Sequence, residues 1–233
     1  MSIPPISPYA MPGAADLVPS AVDWRPDPAR AALLIHDMQQ YFVGFLPRGQ
    51  SPTTELVGNI ARLRSAARAA GMPVVYSVQP GGMSRAERGL LHDLWGPGMS
   101  RDPRERSVVP ALAPARGDHV LTKCRYSAFF RTGLADLLTA LGRDQLVVCG
   151  VFAHIGCLLT AGDAFSYGIQ PFVAADAVAD FTREEHLMAL RYAARRCAVT
   201  MTTTRLLAAL ASGPPAPPAR PARASGRSAG GGS

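Results

Sequence analysis

No stretch of this 233-residue chain has the length and apolar content of a membrane-spanning helix, and its first thirty residues lack a signal peptide's charged start and apolar run. The expectation is a soluble, cytoplasmic protein without a membrane partner. Cysteine is sparse. Cys124, Cys149, Cys157 and Cys197 are far apart and form no CxxC pair, which gives a structural zinc site no support and points to free thiols. A basic run with interleaved aromatics is also missing. The formal charge is +7, but Arg220, Arg223 and Arg227 of an acid-free C-terminal segment supply three of those charges. Nucleic acid is therefore not an expected partner, whereas a mildly positive body suits an anionic small molecule. No internal repeat is visible.

What is present is the composition of an ordinary globular domain, 48% hydrophobic and 18% charged, at a length that can bury a substantial core. Residues 1–30, rich in proline and polar turns, read as an extended arm laid on the body. The body, residues 31–211, alternates short apolar runs with segments of helical spacing. The expected strands are Ala31–His36, Pro73–Val78, His119–Thr122, Gln145–Cys149, Ile169–Ala174 and Ala198–Thr202. The expected helices are Thr53–Ala70, Gly133–Leu141, Ile155–Tyr167, Glu184–Cys197 and Thr203–Ala211. Six strands alternating with helices predict an α/β fold of three layers, a parallel sheet covered by helices on both faces. Residues 212–233, Pro/Ala/Gly/Arg-rich, have too little apolar surface to offset their ordering entropy and are expected to be disordered.

In parallel sheets the reactive groups gather beyond the carboxyl ends of the strands. Asp37 follows the first strand directly; a partly desolvated carboxyl there would favour its protonated form and suit a general acid, or it caps the next helix. Lys123 ends the third strand, either as a solvated surface group or beside Asp37, where it would hold a substrate carboxylate and set the acid's proton affinity. Gln79, Arg88, Arg125 and Tyr126 add donors in the pattern of a carboxylate clamp. The segment Gly150–Cys157 joins a strand to a helix, a simple connection or an anion-binding helix start. His154 reads as structural, and Glu185-His186 as part of a solvated face.

Several long motifs carry a resemblance. Ile3–Pro12, Leu33-Leu34-Ile35-His36-Asp37-Met38-Gln39, Trp95-Gly96-Pro97-Gly98, Lys123-Cys124-Arg125-Tyr126-Ser127-Ala128-Phe129, Gly150–Cys157 and Ala175–Phe181 resemble the isochorismatases, in order, over residues 3–210. The wider superfamily includes cysteine hydrolases with an Asp–Lys–Cys triad. Their cysteine falls six positions after the strand-end glycine, which here is Gly156; Cys157 is one residue late, turned roughly 100° away around a helix of ~3.6 residues per turn. The resemblance thus implies hydrolysis of an enolpyruvyl vinyl ether, of isochorismate or its 2-amino-2-deoxy analogue, without a covalent intermediate, metal or organic cofactor. It implies Asp37 as acid with Lys123 orienting it. Gln79, Arg88, Tyr126 and Gly156 would bind substrate, Phe42 and Trp95 would line the pocket, and Val151–Phe152 would be a cis peptide. It also implies a homodimer. Features around Pro80–Met83 and Phe129-Phe130 look closer to the amino-substrate branch, Ile155-Gly156-Cys157 to the isochorismate branch. Because the C-terminal segment is too short for a carrier domain, the balance leans to the stand-alone amino-substrate type. A cysteine amidase using Cys157 or Cys124 and a non-catalytic scaffold are the competing readings.

Overall fold

In the computed structural model, which describes residues 3–212, the alternating apolar runs become six strands of one sheet. In chain order the strands are β1 Ala31–His36, β2 Val74–Val78, β3 His119–Thr122, β4 Gln145–Val151, β5 Gln170–Ala179 and β6 Val199–Met201. The helices are α1 Gln40–Val43, α2 Thr53–Ala69, α3 Arg85–Arg88, α4 Leu90–Trp95, α5 Pro103–Arg106, α6 Leu134–Ala140, α7 Leu158–Ser166, α8 Arg183–Arg196 and α9 Thr203–Ser212. The sheet order is β3-β2-β1-β4-β5-β6, with every pair parallel. Parallel neighbours need crossovers, and the crossover helices cover both faces. Leu33 and Ile35 of β1 pack into the core on the α2 and α9 side, while Ala32 and Leu34 pack into the core on the α6, α7 and α8 side. That two-sided burial explains why β1 and β4 read as unbroken apolar runs.

The chain builds outward from β1 in one direction through β2 and β3, and in the other through β4, β5 and β6. The reversal lies between β1 and β4, and a crevice opens there beyond their carboxyl ends. Gly150, at φ +116°, lets the two strands close up: a Cβ on it would stand 2.1 Å from the carbonyl oxygen of His36.

Two departures from the expected elements bear on the site. β5 runs on to Ala179 rather than stopping at Ala174, because its pairing with β4 jumps from Val148–Val173 to Gly150–Val178. The bulge is pinned by Asp176, whose Oδ1 accepts from the Thr203 N–H (2.6 Å) and hydroxyl (2.7 Å), and by Asn59, which donates to the Asp176 carbonyl. Second, the helix expected from Ile155 begins as a π-turn, Ala153–Cys157, before α7. Residues 3–30 run over the body, with Ile3 and Ile6 buried and the Ile6 N–H donating to Phe45 O. His186 corrects an expectation: it is fully buried on α8, between Tyr9 and the Ala175 carbonyl, and not on a solvated face. The expected disorder of the C-terminal segment falls outside the described residues. No helix among the described residues is long and apolar enough to cross a membrane.

Candidate active site

A cavity lies in the crevice between the ends of β1 and β4. Asp37, Lys123, Gln79, Arg88, Tyr126, Gly156, Phe42 and Trp95, the residues singled out in the sequence, all line it. The spacing of strands across the sheet does this: the residues after β1, β2 and β3 all arrive at the same sheet edge.

Asp37 sits at φ +49°, in the left-handed region that aspartate tolerates better than most residues. This turns the carboxylate back over the sheet. Its Oδ1 accepts from Ser77 Oγ (2.6 Å); its Oδ2 accepts from Gln79 Nε2 (3.0 Å) and lies 2.7 Å from Lys123 Nζ. Both charged side chains are almost fully buried. Burial by itself would raise the Asp37 pKa, as expected from the sequence. The Lys123 ammonium, together with hydrogen bonds from Lys123 and Ser77, outweighs it, and the carboxyl titrates below its usual range. The resting group is therefore the carboxylate, which corrects the expectation of a protonated acid.

The Lys123 ammonium also donates to Arg125 O (2.8 Å) and Tyr126 O (3.1 Å). With Asp37 these acceptors use all three of its N–H bonds, so it has no free donor for a substrate carboxylate. Arg88 is placed differently. It is buried, it donates through Nε to Gly96 O, and its Nη groups have no protein acceptor among the described residues. Burial lowers its pKa, yet a guanidinium stays charged. It is the free cation of the cavity.

Apart from His36, the remaining walls are apolar. Phe152, Phe181, Leu91, Ile155, Val151 and Ile3 join Phe42 and Trp95. Phe181 packs edge-on against Phe152 (4.6 Å) and Trp95 (5.8 Å), and Trp95 donates to the Tyr126 hydroxyl (2.8 Å). None of these added residues was given a place in the pocket wall from the sequence, where Val151, Phe152 and Ile155 belong to the strand-to-helix segment after β4, Phe181 and Leu91 to motifs of the resemblance, and Ile3 to the arm. Gln39 was also missed. Its amide pairs with the main chain of Gln79 in both directions (2.7 and 2.9 Å) and fixes the residue that holds Asp37. The Val151–Phe152 peptide is cis, as the resemblance implied.

His154 is structural, as expected: its Nδ1 and N–H both bond to the Asp180 carboxylate at 2.6 Å, outside the cavity lining. His154, Asp180 and Glu185 have metal-ligand spacing, within 4.8 Å of one another. His154 and Asp180 bond each other, Asp180 also accepts from Phe181 N, and Glu185 accepts from the Thr182 hydroxyl. Cys157 is fully buried away from the cavity and burial pushes its thiol well up, so it offers no thiolate. Cys124 is half-buried in an outer groove.

Residues 31–205 match the family described as the isochorismatase domain. The chain is 53% identical over 205 residues to the phenazine biosynthesis protein PhzD of Pseudomonas fluorescens, covering 88% of this chain and 98% of that one. It is 52% identical over 214 residues to the isochorismatase of Bacillus subtilis (strain 168), covering 92% and 69%. Among solved structures it resembles a cysteine hydrolase from Pseudomonas syringae pv. phaseolicola 1448A, with a TM-score of 0.75 at 25% identity, covering 84% and 98%.

Proposed function

The chain belongs to the isochorismatase family, and we propose that it hydrolyses the enolpyruvyl vinyl ether of isochorismate or of 2-amino-2-deoxyisochorismate, releasing pyruvate. The observation that carries this reading is the composition of the cavity: one carboxylate held by one ammonium, an unpaired guanidinium, aromatic walls, and a backbone glycine in place of any thiol. Such a site can move a proton and hold an anion, but it has no nucleophile for acyl transfer.

Asp37 delivers its proton to the terminal methylene of the vinyl ether, and the π electrons form the new C–H bond. The ether oxygen shares the resulting charge as an oxocarbenium ion. Water adds at the carbon that bears the ether oxygen and returns a proton to Asp37, giving a hemiketal. Its C–O bond then breaks with proton transfer to the departing oxygen, yielding pyruvate and a trans-dihydroaromatic alcohol. One water is consumed, and the enzyme is regenerated. Because Asp37 rests as the carboxylate, it must be charged with a proton before each turnover. A substrate carboxylate on Arg88 raises its proton affinity at the moment this is needed. Gln79 and Tyr126 orient the substrate, and the aromatic walls exclude stray water from the cation. Lys123 positions Asp37 rather than the substrate. The organic product is 2,3-dihydroxy-2,3-dihydrobenzoate or 2,3-dihydro-3-hydroxyanthranilate. The enzyme is further proposed to work in the cytoplasm as a homodimer, a state light scattering would test.

The test is pyruvate release, coupled to lactate dehydrogenase and NADH, from each substrate separately, with Asp37→Ala as control. Activity that collapses in Asp37→Ala is expected, and the ratio of kcat/KM for the two substrates assigns the branch. No pyruvate from either by a folded protein would end this reading. Treatment with iodoacetamide distinguishes it from a thiol amidase: activity should survive, since Cys157 is buried and its thiol protonated.

A further inference from the structure

We propose that His36 is a positioning residue whose imidazole occupies the space a side chain at position 156 would need, so that His36 and Gly156 form one steric lock holding Asp37 and Lys123 in register. A Cβ built on Gly156 would stand 2.1 Å from His36 Cε1, 2.8 Å from Nε2 and 2.9 Å from Nδ1. Such an overlap is harmless when the neighbour is the loose end of a flexible side chain. This ring is not loose. It is 1% exposed, its Nδ1 lies 2.8 Å from Val151 O and its Nε2 packs 3.3 Å from Tyr126 O, so burial and one hydrogen bond hold it in place.

Those two carbonyls belong to the parts of the chain that build the site. Val151 ends β4, and the Tyr126 carbonyl also accepts from Lys123 Nζ at 3.1 Å. The same Nδ1 lies 3.8 Å from Asp37 Oδ1. Asp37 and Lys123 are the ionisable groups that face it, from the ends of β1 and β3. Burial lowers the His36 pKa to about 4, so near neutral pH the ring carries a single N–H. The shorter contact, to Val151 O, assigns the proton to Nδ1, and the longer one, to Tyr126 O, is then a packing contact without a hydrogen bond. A neutral ring fills the space and spaces the strands without competing with Asp37 for the catalytic proton. Any group larger than hydrogen at 156 displaces the ring, and through Tyr126 O the ammonium that holds Asp37.

The lock rests on the vinyl ether reading for its catalytic meaning, but its geometry can be tested apart from it. Pyruvate release and thermal midpoints would be measured for Gly156→Ala, His36→Ala and the double variant. Gly156→Ala is expected to lose at least tenfold in kcat with less than threefold change in KM, and its pH–rate profile should shift. His36→Ala/Gly156→Ala should recover at least tenfold over Gly156→Ala, because removing the ring makes room for the methyl. If Gly156→Ala does not fold, folding of the double variant is the rescue. Losses that multiply in the double variant, or a Gly156→Ala enzyme with wild-type kcat and pH profile, would overturn the proposal. Should the wild type release no pyruvate, the functional reading fails by itself; the lock then stands or falls on whether the thermal midpoints show the same rescue.

Discussion

At Asp37 one carboxyl is subject to opposed influences: burial favours its neutral form, while Lys123 at 2.7 Å and hydrogen bonds from Ser77 and Gln79 favour its charged form. The charged form wins, which fixes the sign of the pH dependence. The free enzyme's acid is protonated only in the fraction set by a pKa lowered from 3.8, and above that pKa the fraction falls tenfold per pH unit. The expected profile of log kcat/KM against pH is a line of slope −1 through the neutral range, without a plateau. A flat profile between pH 5 and 8 would mean that Asp37 is not the proton donor. Lys123→Met separates positioning from substrate binding. Without the ammonium the Asp37 pKa rises and the acid limb moves to higher pH, while folding loses about 3 kcal/mol because one partner of a buried pair is gone. If Lys123 instead bound substrate, KM would rise and the limb would stay. Among the 24 lysine and arginine residues Lys123 is the only lysine, a signal that alone could have marked it as the site cation.

The elements show where the sequence was readable. β1, β2 and β4 have residues buried on both faces over most of their length, and their apolar runs leave little choice. α2 repeats Leu56, Ile60, Leu63 and Ala67 at helical spacing, so its face was plain. Helices α1, α3, α4 and α5 are four to six residues long, too short for a period to emerge from the sequence. The last half of β5 was lost for another reason. Ala174–Ala179 is weak in strand propensity and interrupted by Asp176, and its conformation is imposed by the bulge against β4. In the site, Asp37 and Lys123 were visible because strand ends are few and motifs long. Phe152 and Phe181 were not, since an aromatic wall of a cavity and an aromatic in the core look alike in sequence. Asp176 carries a prediction of its own. As the acceptor for both the first N–H and the hydroxyl of Thr203, it ties α9 to the bulge that aims Asp180 and Phe181. Asp176→Ala should lower stability by about 1–2 kcal/mol, read as a shift in the urea midpoint. A larger activity loss than stability loss is expected, because Phe181 lines the cavity. An unchanged midpoint would show that the backbone holds the bulge without this cap.

Across the whole molecule, histidine burial makes stability depend on pH near neutrality. His36 and His186 are buried with pKa values lowered to about 4, chiefly by desolvation. In the unfolded chain they return to about 6.5. Between those values the unfolded state binds more protons, so stability falls as pH drops from 6.5 and levels off only below 4. Going from pH 7 to 5 this amounts to about 2 kcal/mol for each histidine, at ~1.4 kcal/mol per pH unit. His154 acts oppositely. Burial pulls its pKa down, but the Asp180 carboxylate more than restores it, so the group stabilises the fold below its unfolded pKa and loses that effect as pH rises through the folded one. Its ring is partly exposed and its contribution is screened, so it offsets only part of the loss. Against a total stability of about 5–15 kcal/mol, the net change is large. Urea unfolding at pH 7 and pH 5 should show a clearly lower midpoint at pH 5, well above the range where Asp37 titrates. Equal midpoints would mean that His36 and His186 are charged inside the folded protein. A charged His36 would donate to Val151 O and Tyr126 O together and set a second positive charge against Asp37, holding the acid still further from its proton.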